Sequence, residues 1–491
     1  MKKITGFLMM AALLIGFAAC NNEDVPNVDN NEGNTYASME IGYAPMQSPV
    51  AKSTRAVTET SFEGTAAEKN VASITLFGET TATTSMQFSS PFLKAANLWT
   101  VDAWATKAGT RSFGLGLNFA TAPVVDLNTE TNTTGAILGG AITDYVTTGA
   151  IAMSSTEVKT QKINEGVSQA QANSGTSIAD NLVEFDVKRV VAKAAVRAGA
   201  SSVIVTDGNG GKKLGSFSNL SFAPTNLSKE TYLFEKADKD PVMLDASATE
   251  VGANAANYAR LGDTDLVDLV KPTATDYHPY KAVAMNLTTD ALADIEGNYF
   301  FENIEDALFW GNITYMKVYG TFTPELTQIW DLNPLHRERL ENPTAFATGT
   351  SFYKGAVDGK LYTTLEAAQF AVPGQQAYKY ENGRMGYRVL VYQDPADADF
   401  DMNSNPVTNA DVLRNYFYIL DITAIEGLGF NYDGNDPNDP NLPKPTDNPD
   451  EPVDPEDGVD EDTPINSTDT YMRVEATVLP WTVVGRDVVL K

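Results

Sequence analysis

The sequence predicts an all-β fold built from two sandwich domains, and three features carry that reading. Thr, Ser, Ala, Val and Gly dominate the N-terminal half, in short alternating runs between turn residues. The C-terminal half folds back around Asp358-Gly359 and Asn382-Gly383, pairs that favour tight hairpins. Aromatic residues fall inside these runs, where they suit the faces of sheets.

The chain opens on a targeting signal. Lys2 and Lys3 precede an apolar run from Phe7 to Phe17, and small residues lead to Cys20, so residues 1–20 read as a signal segment that is cleaved on export. "GFAAC" resembles a lipoprotein cleavage box, in which Cys20 becomes the acylated N-terminus. An ordinary secretory signal with an incidental cysteine is the alternative. Cys20 is the only cysteine, so no disulfide, thiol nucleophile or thiolate metal site is available after export. "TYASMEIGYAP", residues 35–45, alternates at Ala37, Met39, Ile41 and Tyr43 and reads as a half-buried strand. "AKSTRAVTET" follows, a disorder-prone stretch whose Arg55 is open to a trypsin-like protease.

The N-terminal body, residues 56–265, offers "EFDVKRVVAKAAVRAG", alternating over Phe185, Val187, Arg189 and Val191, and a strand in "GSFSNLSFAPTNLSK" that ends near Pro224. "TDGNGGKKLG" between them reads as a glycine hairpin, since its lysines lack the spacing of a phosphate loop. "TEVKTQKINEGVSQAQA" is the best helix candidate, with a thin apolar face. Signals weaken from about residue 240 to 290, and a second β-rich body, residues 266–432, contributes strands over Ile313 to Phe322 and Tyr416 to Ile425. Residues 433–469 are acidic and proline-laden; they cannot bury a core and should form an extended tether reaching on the order of 100 Å.

Beyond the tether, "TYMRVEATVLP", residues 470–480, alternates at Met472, Val474, Ala476 and Val478. Laid over residues 35–45 without a gap, it shares the threonine, the tyrosine, a glutamate and the final proline. Chance likeness between two β segments is the alternative. An apolar strand on a long tether needs a partner sheet, because an unpaired edge invites aggregation.

Other chemistry has little to draw on. The formal charge of −29 argues against nucleic acid or an anionic membrane as partner. Two histidines, His278 and His336, stand in unlike contexts and offer little for a triad or a zinc site, so the chain reads as no enzyme and needs no cofactor or metal. Asp397, Asp399 and Asp401 resemble half of a calcium loop, but Met402 stands where glycine is required and Thr408 where the bidentate glutamate belongs, which favours an acidic surface loop.

"NITYMKVYGTFTP", "YKYENGRMGYRVLVY", "RNYFYILDITAIEGLGFN", the tether and "TYMRVEATVLPWTV" together resemble the fimbrillins of Bacteroidales type V pili, most closely the shaft subunit of the minor fimbrium. The resemblance implies two transthyretin-like β-sandwich domains and export as an outer-membrane lipoprotein, anchored by its lipid before processing. It implies a propeptide, residues 21–55, whose strand is freed when an arginine-specific protease cuts between Arg55 and Ala56. The donor-strand segment, residues 470–491, of another copy would then fill the vacated groove, so the implied partners are further copies of the chain and accessory pilus subunits. Two alternatives stand beside the shaft: a surface lipoprotein adhesin that never polymerises and whose tail closes on its own domain, and a tip or anchor subunit of the same pilus.

Overall fold

The computed structural model describes residues 35–44, 64–78, 85–88, 91–95, 98–131, 134–207, 211–236, 258–259, 283–304, 309–331, 346–391, 410–432, 448–452 and 472–480. Strands dominate them and the helices are short, so the all-β expectation holds. The chain divides into two compact units. The smaller comprises Met1–Met39, Asp102–Arg111 and Gln161–Val183, and the larger Glu40–Val101, Ser112–Thr160 and Glu184–Lys491.

The first sheet is built from β1 (Thr35–Tyr43), β2 (Ile74–Phe77), β3 (Ser85–Phe88), β4 (Phe92–Ala95), β5 (Leu98–Thr100), β6 (Trp104–Thr106), β7 (Gly109–Leu117), β8 (Met153–Ser155) and β9 (Leu182–Arg189). Its order is β3-β2-β7-β8-β9-β1-β5-β4, with β6 also paired to β1. β1 therefore lies inside the sheet, with a neighbour on each side. It runs antiparallel to β6 through Thr35–Thr106 and Ala37–Trp104, and antiparallel to β5 through Glu40–Thr100 and Gly42–Leu98.

The second half of the chain adds β10 (Ala192–Ala198), β11 (Ser202–Thr206), β12 (Lys213–Thr225), β13 (Tyr315–Pro324), β14 (Ile329–Trp330), β15 (Phe352–Gly355), β16 (Leu361–Tyr362), β17 (Ala377–Tyr380), β18 (Arg384–Leu390), β19 (Tyr416–Ile425) and β20 (Met472–Pro480). The second sheet runs β10-β19-β11-β12-β13-β18, with β20 on β19, so strands from before and after residue 265 share it. A small third sheet runs β14-β16-β15-β17. Between β11 and β12 the antiparallel ladder from Ser202–Ser218 to Thr206–Lys213 forms the hairpin expected of the glycine-rich stretch. β10 and β19 are buried on both faces: Ala194, Ala195, Val196, Phe417 and Leu420 are completely buried. Strands packed on both sides read as continuous apolar runs rather than alternation.

Three expectations are corrected. The expected helix over "TEVKTQKINEGVSQAQA" resolves into a strand, Lys159–Ile163, and a six-residue helix, Gln169–Ser174. Gly166, at φ +72°, turns the chain between them, and a capping box starts the helix: Gln171 N donates to Ser168 Oγ (3.3 Å) and Ser168 N to Gln171 Oε1 (3.1 Å). Asp358-Gly359 does join the antiparallel pair β15 and β16. Asn382-Gly383 takes up left-handed φ values of 55° and 70° as a tight turn requires, yet β17 pairs with β15 while β18 pairs with β13. It is a corner between two sheets, and no hairpin forms there.

The third correction concerns the tether. Its residues 448–452 are held at the edge strand β17, where Ala377 N donates to Asp450 O (3.0 Å) and Gln376 Nε2 to Pro449 O (2.7 Å). Tyr353 Oη donates to Glu451 Oε1 (3.4 Å), and burial together with that carboxylate pushes the Tyr353 phenol up to about 12. A proline-rich acidic segment lacks a core of its own but still offers carbonyls to an open edge.

Candidate functional site

The two like strands each sit in a seat, and β1 fills the more completely specified one. In the smaller unit its entry is fixed by a polar knot. Thr35 Oγ1 donates to Asn164 O (2.8 Å) and accepts from Val167 N (3.1 Å) and Asn181 Nδ2 (3.2 Å). Asn181 is fully buried at φ +58°, a left-handed geometry that asparagine tolerates. Its Nδ2 also reaches Tyr36 O (2.9 Å), and its Oδ1 accepts from Asn164 N (2.7 Å). Ser38 N donates to Asn181 O (3.1 Å). The fit is incomplete: Ser38 Oγ and Thr106 Oγ1 are buried with no hydrogen-bond partner, and each such loss costs about 1–3 kcal/mol.

Ala37, Met39, Ile41 and Tyr43, the four residues expected to face the core, are all buried, the first three completely. In the larger unit the strand ends on Tyr43, whose ring meets Trp99 edge-on at 5.3 Å and whose hydroxyl donates to Lys69 O (2.8 Å). The Arg189 guanidinium lies 5.2 Å from that ring's centre. Burial pushes the Tyr43 phenol up to about 12 in spite of Arg189. At the outer face, Glu40 forms an ion pair with Lys94 of β4.

Beneath Tyr43 lies a buried charge network. Arg189 Nε donates to Glu68 O (3.0 Å) and Nη1 to Asn415 Oδ1 (3.3 Å), while Lys193 Nζ pairs with Glu68 Oε1 at 3.0 Å and Tyr299 Oη also donates to that oxygen. Burial lowers the Arg189 guanidinium and raises the Tyr299 phenol. Burial alone would also raise the Glu68 carboxyl, but Lys193, the Tyr299 hydroxyl and the Thr65 N–H outweigh it and hold the group below its usual value of 4.5. A depressed carboxylate contributes stability above its unfolded pKa, and that contribution disappears as pH falls through the folded one. We therefore expect the melting temperature of the uncut chain to exceed that of the Glu68→Gln variant at pH 7, and the gap to narrow steadily below about pH 4.5. Thermal melts of the two proteins across that range check the expectation, and a constant gap would refute it.

The seat of β20 is the free side of β19. The ladder runs from Tyr416–Pro480 to Ile425–Met472, and places Val478 across from Tyr418, Ala476 from Leu420 and Val474 from Ile422. β19 itself is firmly anchored. Just before it, the fully buried Arg414 donates to Glu302 Oε2 (2.9 Å), also pairs with Glu302 Oε1, and reaches Thr231 Oγ1 (2.6 Å), Tyr232 O (2.6 Å) and Leu233 O (3.2 Å). A buried cation with this many partners holds its segment in one place.

Cys20, Arg55, Ala56, His278, His336, Asp397, Asp399 and Asp401 lie outside the described residues. Among the described residues, no helix is long and apolar enough to cross a membrane and no group of His, Cys, Asp and Glu converges for a metal. Sequence reading missed Asn181, Lys94 and the Glu68–Arg189 network. Each acts on β1 from a position remote in the chain, and a single sequence carries no signal of such pairing.

Residues 378–487 match the family of the major fimbrial subunit protein type IV, fimbrillin, C-terminal region. Among solved structures, a fimbrilin (FimA) of Porphyromonas gingivalis W83 is similar at 16% identity, covering 93% of this chain and 99% of its own, with a TM-score of 0.41. A cell-adhesion candidate of Parabacteroides distasonis ATCC 8503 is similar at 14% identity, with coverages of 92% and 100% and a TM-score of 0.46. The tip fimbrial protein Mfa3 of P. gingivalis, truncated at its C-terminus, is similar at 12% identity, with coverages of 91% and 100% and a TM-score of 0.31. The matched segment holds β18, β19, the tether and β20, and over these residues the chain is similar to the fimbrillins, the family its sequence resembles.

Proposed function

We propose that this chain is the structural shaft subunit of a type V pilus, supporting adhesion at the cell surface. It is exported as a lipoprotein through Cys20, cut after Arg55 by a trypsin-like, arginine-specific protease, and polymerised when residues 470–480 of one copy take the place of residues 35–45 in another. The observation that carries the reading is the position of β1: a strand from the N-terminal tail, matched without a gap by β20, is buried inside the first sheet just upstream of Arg55. Strand addition of this kind draws its affinity from ladder hydrogen bonds and its specificity from alternate side-chain pockets. The partners are further copies of the chain and accessory pilus subunits, with the lipid holding the precursor to the outer membrane.

N-terminal sequencing and intact mass of surface-assembled material test the proposal. The shaft reading expects Ala56 as the first residue; a lipidated Cys20 terminus as the dominant species refutes it. One observation favours a second reading, a surface adhesin that never polymerises: β20 is paired with β19 of its own chain. That reading expects the lipidated terminus. In the shaft reading, the same pairing is the resting place of the donor strand before exchange.

A further inference from the structure

We infer that Glu475 sorts the C-terminal strand between two seats, disfavouring β19 of its own chain and favouring the β1 slot of a second copy through Lys94. The inference rests on the shaft reading and adds to it the charge that gives exchange a direction.

The first half is read from register. Arg197 of β10 is the partner of Asp421 on β19, and Asp421 is the partner of Glu475 on β20, so the three stand in one row across adjacent strands. Arg197 Nε and Nη2 both bind the Asp421 carboxylate, each at 2.7 Å. Asp421 therefore already has its counter-ion, and the register sets a second acidic residue, Glu475, opposite it. Like charges directly opposite on neighbouring strands are destabilising. Arg197 and Asp421 are mostly buried, at 14% and 20% exposure, so salt screens this row less than an open surface.

The second half comes from β1. The gapless match sets Glu475 at the position of Glu40. Glu40 is paired with Lys94, and its side chain is only 13% exposed. A strand from another copy, seated in the same register, brings Glu475 to Lys94 and restores an ion pair that loss of β1 would break. Register in a half-buried strand is strongly specified, because a slip of one residue turns every side chain to the other face. The strand's one other charge, Arg473, takes register across from Ala424 on β19 and the place of Ser38 in the slot. It is the same in every protein compared below, so its contribution cancels.

The test uses the full chain as wild type, Glu475→Lys, Lys94→Glu and the double variant. Hydrogen exchange at residues 472–480 before the cut reads the first seat. Polymer yield after an arginine-specific cut, measured at low salt by light scattering, reads the second. Glu475→Lys should slow exchange in the uncut chain and lower polymer yield by about three- to tenfold, since it reverses the sign of both charge pairs. Lys94→Glu should leave exchange unchanged and lower the yield to a similar degree. The double variant should regain most of the yield while keeping the slow exchange of Glu475→Lys. Should Lys94→Glu fail to fold, Glu475→Lys decides alone through its two readouts. Normal polymers from wild type with equal yields from every variant would overturn the inference and leave the shaft reading standing. No polymer from cut wild type would overturn both.

Discussion

Replacing Arg55 by alanine is expected to leave the chain exported and folded but unable to enter a polymer. The effect should be close to complete, because the cut changes the kind of competition β1 takes part in. Uncut, β1 is tied covalently to its own sheet, and a tethered segment acts at an effective concentration of about 1 mM. A donor strand on another copy at about 1 μM starts roughly a thousandfold behind, before any difference in fit. Fit does not close that gap: Met39, Ile41 and Tyr43 are buried, and such side chains contribute about 1.5–3 kcal/mol each. Once the chain is cut, β1 becomes a free peptide that is diluted when it leaves. The buried Ser38 and Thr106 hydroxyls that lack partners then favour its departure. Size-exclusion chromatography and electron microscopy of the Arg55→Ala protein beside wild type, both after protease treatment, check this. Polymers of ordinary length and amount from the variant would rule out cleavage at Arg55 as the trigger.

What could be read from the sequence was local, and what could not was pairing. The run over Tyr416 to Ile425 gave β19 its bounds because its continuous apolar, aromatic and β-branched content and its flanking turn residues agree there. Alternation marked Ala37, Met39, Ile41 and Tyr43, which are buried, but Ser38 and Gly42 between them are buried too, so the strand expected to be half-buried is covered on both faces. Asn382-Gly383 shows the limit: its left-handed pair satisfies any tight turn, whether the next strand returns to its neighbour or leaves for another sheet. The helix expected from "TEVKTQKINEGVSQAQA" failed for the opposite reason, since a thin apolar face gave the helical period little to bury and the alternation of Lys159, Gln161 and Ile163 prevailed. Neither β1 between β9 and β5 nor Lys94 beside Glu40 could have been read, because contacts between distant segments leave no mark on a single chain. The anchoring of residues 448–452 is of the same kind: composition excludes a core there but is silent on a backbone bond to Ala377.

That anchoring bears on the second large effect, the loss of donor function when residues 470–491 are deleted. With residues 448–452 held at β17, the segment that carries β20 outward is residues 453–471, and at about 3.1 Å per residue it spans about 60 Å at most, shorter than the full tether suggested. A neighbour's slot must lie within that reach, so exchange joins adjacent copies and does not bridge distant ones. The truncated subunit keeps β1, Arg55 and the slot, and so it can accept a strand but cannot give one. Alone, after the cut, it should form no fibres. Mixed with wild type it should end every fibre it joins, and mean length should fall roughly in inverse proportion to its fraction. The adhesin reading expects otherwise: deletion bares the β19 ladder, an exposed edge prone to indiscriminate pairing, and yields aggregates with no dependence on the Arg55 cut. Electron microscopy of the mixtures separates the outcomes. Ordinary fibres from the truncated protein alone would show that the strand resembling β1 is not the one that replaces it.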